Sequence, residues 1–292
     1  MSSRCASCGT AENDDIKLKK CTACYLVRYC GVKCQKDHWK KHKEECRKRA
    51  AELRDELLFK QPESSHFGDC PICCVPLPLD FDKSIVLACC NKSICNGCRF
   101  ANEMRELEGR LQSTCIFCRH PTPESRTEAD TVLMKRVQAN DPVAIREMGN
   151  LRSVEGDYKG AIELWTKAAK LNDAVAHYQL SCMHQNGVGV EKDEKKEAYH
   201  LEQAAIGGHV GARFNLGCLE WNNGRKERSI KHFTTAANLG DVESMEQVKK
   251  SYQAGLASKD DFASTLRAHH AAVDAMKSPE REAAEAAART MS

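Results

Sequence analysis

Residues 172–176 read Asn172-Asp173-Ala174-Val175-Ala176, one of four related pentapeptides in the chain. Asn140-Asp141-Pro142-Val143-Ala144 precedes it by 32 residues. Gly208-His209-Val210-Gly211-Ala212 follows after 36, and Gly240-Asp241-Val242-Glu243-Ser244 after a further 32. A second register keeps the last two offsets: Ala168-Ala169, Ala204-Ala205 and Ala236-Ala237 are 36 and 32 apart. Trp165, Leu201 and Phe233 each stand three residues before an alanine pair. The glycine-rich turn Asn186-Gly187-Val188-Gly189-Val190 accounts for the four extra residues of the longer repeat. A period of 32–36 with helical patterning is the mark of stacked helix pairs. Small alanines let helices approach, and the bulky residue one turn earlier fills the groove between pairs. The expected fold is therefore mainly α, with an α-solenoid of about four helix pairs over residues 128–275.

This stretch resembles Sel-like repeats, relatives of the tetratricopeptide family, over about residues 138–275. The carriers are the alanine pairs, Leu216-Gly217, and Gly187-Val188-Gly189-Val190 followed by Asp193. The pattern weakens in the last repeat, where Val248-Lys249 replaces Leu-Gly and Ala254-Gly255-Leu256 interrupts it. Residues 276–292 form an alanine- and glutamate-rich tail, expected as one frayed helix with no separate function.

Upstream of the repeats the chemistry changes. Of 18 cysteines, 16 fall before residue 119, and only Cys182 and Cys218 lie beyond. They come largely as C-x2-C pairs, and a histidine occupies a ligand-like slot. That arrangement points to zinc rather than disulfides. The start of the chain goes straight into a cysteine motif without an apolar run, so no signal peptide is expected. There is no stretch of 18 apolar residues, so no membrane span is expected. A net charge of +3 on 292 residues is near neutral. A reducing compartment, cytoplasmic or nuclear, follows from the thiol content.

The first module, residues 1–47, carries Cys5, Cys8, Cys21, Cys24, Cys30, Cys34, His42 and Cys46. Eight donors suffice for two tetrahedral zinc ions. Cys30 and Cys34, like His42 and Cys46, are spaced one helical turn apart, so each pair can face one metal. The pattern resembles a MYND-type zinc finger, through Tyr29-Cys30, Cys34-Gln35 and His38-Trp39 followed by His42 and Cys46. That resemblance implies an interleaved pairing: Cys5, Cys8, Cys30 and Cys34 at one ion, and Cys21, Cys24, His42 and Cys46 at the other. It also implies binding of short proline-containing peptides. With the donor count complete, His38 is expected to pack or to support a ligand, and Trp39 to plug a small core.

After a charged, helix-prone linker over residues 48–66, the second module spans 67–123. It contains Cys70-x2-Cys73, the adjacent Cys89 and Cys90, Cys95-x2-Cys98, and Cys115-x2-Cys118. The pattern resembles an all-cysteine RING finger, through Cys70-Pro71-Ile72-Cys73, the run from Cys90 to Cys95, and Cys115-Ile116-Phe117-Cys118-Arg119. The family's cross-brace implies Cys70, Cys73, Cys95 and Cys98 at one zinc, and Cys89, Cys90, Cys115 and Cys118 at the other. The usual histidine slot holds Lys92, which cannot ligate when protonated. Cys89 is its natural substitute, and Cys74 is a spare thiol, expected buried, that could swap in. By resemblance, Ile72 would contact a ubiquitin-conjugating enzyme and Arg119 would link to ubiquitin, catalysing transfer by orientation alone. The proline often found within the last pair is absent, with Ile116 there.

The four zinc ions expected across both modules matter for folding as well. Structural zinc contributes on the order of 10–16 kcal/mol in finger peptides. Residues 33–60 hold ten Lys or Arg, but six acidic residues share the stretch, which reads as a solvated face rather than a nucleic-acid surface. Asp157, Glu163 and His177 are scattered and form no acid–base set, and no phosphate loop occurs, so no catalytic or cofactor-binding residues are assigned. Some MYND proteins are methyltransferases, but that activity needs a separate catalytic domain, and helical repeats occupy the remainder here. The expectation is a zinc-dependent adaptor, with the finger and the repeats engaging different proteins; the alternative is a RING-type ubiquitin ligase whose other modules select substrate.

Overall fold

The computed structural model describes residues 4–291. It divides into two compact units, Met1–Lys60 and Gln61–Ser292. Among the described residues there are twelve α-helices and two two-stranded hairpins, so the protein is mainly α.

In the first unit, β1 (Lys19–Lys20) pairs antiparallel with β2 (Arg28–Tyr29), and helix α1 (Val32–Leu58) follows. The buried core is Cys5, Leu18, Cys21, Cys24, Tyr29 and Cys46, so most of it consists of cysteines. Such a core cannot stabilise the fold by apolar burial alone. Trp39 is not the expected plug: it is 41% exposed on α1. The charged stretch 48–66 is divided between the units. Its first part continues α1, where Arg49 pairs with Glu52 at 3.1 Å and Glu56 at 2.9 Å on a solvated face. Its last part belongs to the second unit: the Gln61 amide donates to the Thr235 carbonyl at 3.3 Å, and the His66 N–H to that of Gly208 at 3.0 Å.

The second unit begins with the other cysteine module. Strands β2's successors β3 (Ser84–Leu87) and β4 (Lys92–Cys95) form an antiparallel hairpin in the register Val86↔Ser93. Helix α2 (Asn96–Glu108) follows. Leu77 and Ile94 pack among Cys70, Cys95 and Cys98.

The solenoid starts at α3 (Arg126–Gln138) and continues in four helix pairs. These are α4 (Pro142–Val154) with α5 (Tyr158–Lys170), and α6 (Ala174–Asn186) with α7 (Glu194–Ile206). Then come α8 (Val210–Asn222) with α9 (Lys226–Ala237), and α10 (Val242–Gln253) with α11 (Lys259–Ala275). The repeated pentapeptide has a specific job. Its first residue, Asn140, Asn172, Gly208 or Gly240, takes a left-handed backbone with φ of 58°, 64°, 83° and 95°. Asn and Gly tolerate that conformation best. The second residue caps the next helix. Asp141, Asp173, His209 and Asp241 accept from the backbone N–H of Ala144, Ala176, Ala212 and Ser244 at 3.2, 2.7, 3.1 and 2.8 Å. Those four small residues are fully buried, where helices meet.

The second register is packing. Trp165, Leu201, Phe233 and the alanine pairs are all buried. Two glycines make room for the largest side chains: a Cβ on Gly149 would lie 2.6 Å from Trp165 Nε1, and one on Gly217 2.4 Å from Phe233 Cε1. The tail is an ordered helix, α12 (Pro279–Met291), packed on α2 rather than frayed.

His209 caps α8 through Nδ1, so that nitrogen must be unprotonated. It stacks between His66 and Tyr178, with ring centroids 4.1 and 4.2 Å away. Burial holds His209 well below the ordinary histidine value and His66 at about 4. Both are neutral when folded and protonated when unfolded below pH about 6.5, so their stabilisation is complete above 6.5 and is lost as pH falls towards 4. Two outcomes are expected in urea denaturation. The solenoid midpoint drops between pH 7.5 and 5, and His209→Asn, which keeps a capping side chain, flattens that dependence. Gly217→Ala lowers stability by about 1–3 kcal/mol through overpacking against Phe233.

Candidate metal centres

Four of the five C-x2-C pairs, one in each module half, form the same tight turn; the fifth, Cys95-x2-Cys98, opens α2. The backbone N–H of the residue after the second cysteine donates to the carbonyl of the first: Gly9 to Cys5 at 2.9 Å, Tyr25 to Cys21 at 2.9 Å, Cys74 to Cys70 at 2.8 Å and Arg119 to Cys115 at 2.9 Å. That closing residue is left-handed every time, with φ of 76°, 57°, 55° and 59°. Cys74 and Arg119 therefore occupy equivalent backbone positions. Cys74 is exposed, contrary to the sequence expectation, and lies outside every group of converging donors.

The second half of each site comes from elsewhere in the same module. Cys30 precedes α1, which begins at Val32, so it does not share a helix turn with Cys34 as its spacing suggested. His42 and Cys46 do project from α1. Cys95 is the N-cap of α2 and Cys98 lies in its first turn. Cys89 and Cys90 occupy the turn between β3 and β4.

These elements bring the donors into four tetrads: Cys5, Cys8, Cys30 and Cys34; Cys21, Cys24, His42 and Cys46; Cys70, Cys73, Cys95 and Cys98; and Cys89, Cys90, Cys115 and Cys118. Within each, all donor atoms lie within 4.8 Å of one another. A tetrahedral zinc with Zn–S of about 2.3 Å sets Sγ···Sγ edges of about 3.8 Å. The observed separations are 3.6 Å for Cys8–Cys30, 3.7 Å for Cys21–Cys46, 3.8 Å for Cys70–Cys98, 3.9 Å for Cys73–Cys95 and 3.7 Å for Cys90–Cys115. Cys24 Sγ is 3.2 Å from His42 Nε2, which makes Nε2 the nitrogen facing the site. The other ring nitrogen faces the Glu45 carboxylate at 3.7 Å. The donor set and its spacing fit Zn2+ at up to four sites.

The electrostatics fit as well. Burial pushes Cys5, Cys21, Cys70 and Cys115, the first thiols of the four tight turns, up, but hydrogen bonds from backbone N–H groups around them outweigh that. They bring Cys5 and Cys21 to about 6, and Cys70 and Cys115 to about 7. The partners move the other way: a hydrogen bond to Cys34 leads the shift of Cys30 to about 12, and burial leads that of Cys46 to about 12. Burial also pushes Cys89 and Cys98 up. Crowded thiols cannot all ionise unaided, and a cation is what allows it.

His38 is not a ligand. Its Nδ1 is 3.1 Å from the Tyr29 hydroxyl, and its ring stacks on that of His42 with centroids 5.7 Å apart. Ile72 is 37% exposed and Arg119 is exposed. The sequence reading missed Arg136 and Arg281. Arg136 of α3 donates to the Cys89 carbonyl at 3.5 Å and pairs with Asp141, and Arg281 of α12 donates to Cys73 Sγ at 3.7 Å. Neither carries a local motif.

Residues 5–46 match the MYND finger, and residues 142–173, 174–209 and 212–241 match the Sel1 repeat. The chain thus contains a MYND finger followed by Sel1 repeats. Among curated proteins, it is 42% identical over 60 residues to the histone-lysine N-methyltransferase ASHR1 of Arabidopsis thaliana, covering 20% of this chain and 12% of that protein. It is 35% identical over 52 residues to the SET domain and MYND-type zinc finger protein 6 of Schizosaccharomyces pombe, covering 18% of this chain and 11% of that protein. The chain thus spans only a small part of these relatives' length. Among solved structures, a Sel1 repeat protein from Oxalobacter formigenes aligns with TM-score 0.44 and 27% identity, over 52% of this chain and 66% of that one. A protective antigen of uropathogenic Escherichia coli displaying an SLR fold aligns with TM-score 0.43 and 18% identity, over 51% and 34%. The chain therefore combines a MYND finger and Sel1 repeats with four donor tetrads that suit zinc.

Native mass spectrometry of the full chain is expected to show four bound zinc ions. Cys89→Ser should reduce the count to three, whereas Cys74→Ser should leave four. The reverse pattern would assign the fourth site to Cys74.

Proposed function

We propose that the protein is a zinc-dependent adaptor that holds a short proline-containing peptide on its MYND finger and a second protein on its repeat unit. The observation that carries this reading is the apolar surface of the finger. Tyr25, Leu26, Val32 and Trp39 are 60, 50, 67 and 41% exposed, on a unit whose own core is mostly cysteine. Val32 and Trp39 lie two turns apart on one face of α1. Exposed aromatic rings beside aliphatic side chains suit the flat, rigid face of proline. In the second unit, a cleft of about 810 Å³ runs between the cysteine module and the first helix pairs. Phe67, Pro71, Phe81, Val143, Arg146 and Leu171 line part of it, a mixed apolar and charged wall suited to a polypeptide segment. Fifteen cysteines grouped for a metal rather than paired as disulfides suit a reducing compartment, cytosol or nucleus.

A second reading, ubiquitin ligase, is favoured by the surface positions of Ile72 and Arg119, where a conjugating enzyme would require them. Lys92 in the usual histidine slot and Ile116 in place of proline weigh towards the adaptor. The methyltransferase relative shares only a short segment, and its activity is not carried over.

The test is binding of a proline-containing peptide library to the zinc-loaded chain. Trp39→Ala should weaken the selected peptides at least tenfold while leaving zinc content and the circular dichroism spectrum unchanged. Unchanged peptide affinity would remove the finger from the reading. Polyubiquitin chains formed with any of a panel of conjugating enzymes, and lost in Ile72→Ala, would replace the adaptor reading with the ligase.

A further inference from the structure

Arg281 stands out among the charged residues of the second unit. It belongs to α12, which sequence patterning reads as a dispensable tail, yet only 7% of it is exposed. One guanidinium nitrogen donates to the carbonyl of Pro76 at 2.7 Å and to that of Met276 at 2.5 Å. The other donates to the Val75 carbonyl at 3.1 Å and to Cys73 Sγ at 3.7 Å. Val75 and Pro76 directly follow the Cys70–Cys73 turn, so the side chain grips the loop that this tetrad holds.

A second contact is made mainly by the backbone of α12. Gly97 lies between the donors Cys95 and Cys98, and the α12 backbone passes directly over it. A Cβ at Gly97 would lie 2.7 Å from the Arg281 backbone nitrogen and 2.8 Å from the Glu280 carbonyl carbon. Both ligand-bearing loops of one tetrad thus form the seat of the same helix. Around it, Lys83 pairs with Glu285 at 2.8 Å, and the Met276 methyl reaches Gly240 at the far end of the solenoid.

We propose that Arg281 is the outer charge partner of the tetrad Cys70, Cys73, Cys95 and Cys98, and that α12 is a latch that stays docked only while this tetrad holds its metal. The inference rests on zinc occupying that tetrad. Zinc with four thiolates carries a formal charge of −2, and Cys70 and Cys95 are fully buried. A buried cation hydrogen-bonded to a ligand sulfur compensates that charge, and the site in turn compensates the burial of the guanidinium. Loss of the ion relaxes the loops that present Gly97 and the two carbonyls, and the seat of α12 goes with them. The chain's last helix then becomes free, uncoupling the cysteine module from the end of the solenoid.

The experiment uses the full zinc-loaded chain. Ion count is read by native mass spectrometry, zinc release by a chromogenic chelator, freed cysteines by peptide-level alkylation, and α12 by hydrogen exchange. Arg281→Met should release one ion about tenfold faster, the size expected for an outer-shell partner. Alkylation should place that ion at Cys70, Cys73, Cys95 and Cys98, and residues 279–291 should lose protection. Gly97→Ala, which keeps the guanidinium but pushes the α12 backbone off its seat, should do the same. In the unaltered chain, α12 should lose protection in step with loss of that ion. Wild-type release rates in both variants, or an α12 still protected after that ion has left, would overturn the latch. A wild-type chain whose second module binds no zinc would overturn the zinc reading of that module, and the latch with it, and the ion count alone distinguishes this from the previous result.

Discussion

Four cysteine thiols held within a few ångströms of one another need a cation at their centre, and the first 120 residues are organised by that requirement. Thiolates this close repel, and leaving them protonated would fill the core of each module with weakly interacting S–H groups. A zinc ion resolves both problems and replaces the apolar core that so few hydrophobic residues could form. The turn that presents one C-x2-C pair to each tetrad is prepared for this role. Its closing residue is left-handed, and backbone N–H groups around the first thiol draw that thiol towards ionisation.

The two cysteine modules are embedded differently. The MYND finger forms a unit of its own with helix α1. The second module is fixed into the repeat unit at several points: by Arg136 between Cys89 and the cap of α4, by the His66–His209 stack, and by Arg281 on Cys73. Its zinc chemistry is consequently part of the architecture of the solenoid, whereas the finger keeps an exposed apolar surface of its own. This division gives one chain a finger with an exposed apolar surface and a separate unit built on repeats.

Much of this was legible in the sequence. The repeat register could be read because the same physics recurs at each turn. A left-handed Asn or Gly, a capping Asp or His and a small residue three positions on must appear together, and packing demands Trp165, Leu201 and Phe233 one turn before an alanine pair. The tetrads were legible because ligand spacing is dictated by the ion. What escaped the sequence was of two kinds. Trp39 and Cys74 were expected to be buried from residue type alone, yet Trp39 lies on an open helix face and Cys74 is the exposed closing residue of a turn. Arg281 escaped because its partners in the cysteine module lie more than 200 residues away, and nothing local in an alanine- and glutamate-rich tail sets one arginine apart.

The central claim is that the ions are held by 15 thiolates and one imidazole in four tetrads. Zinc-edge X-ray absorption on the chain as isolated tests it most directly, because it reads the average donor set around every bound ion. Four such tetrads give sulfur neighbours at about 2.3 Å, averaging near 3.75 sulfurs and 0.25 nitrogens per zinc, the ratio of those donors to four sites. A shell averaging one or more nitrogen or oxygen donors per zinc at about 2.0–2.1 Å would contradict it.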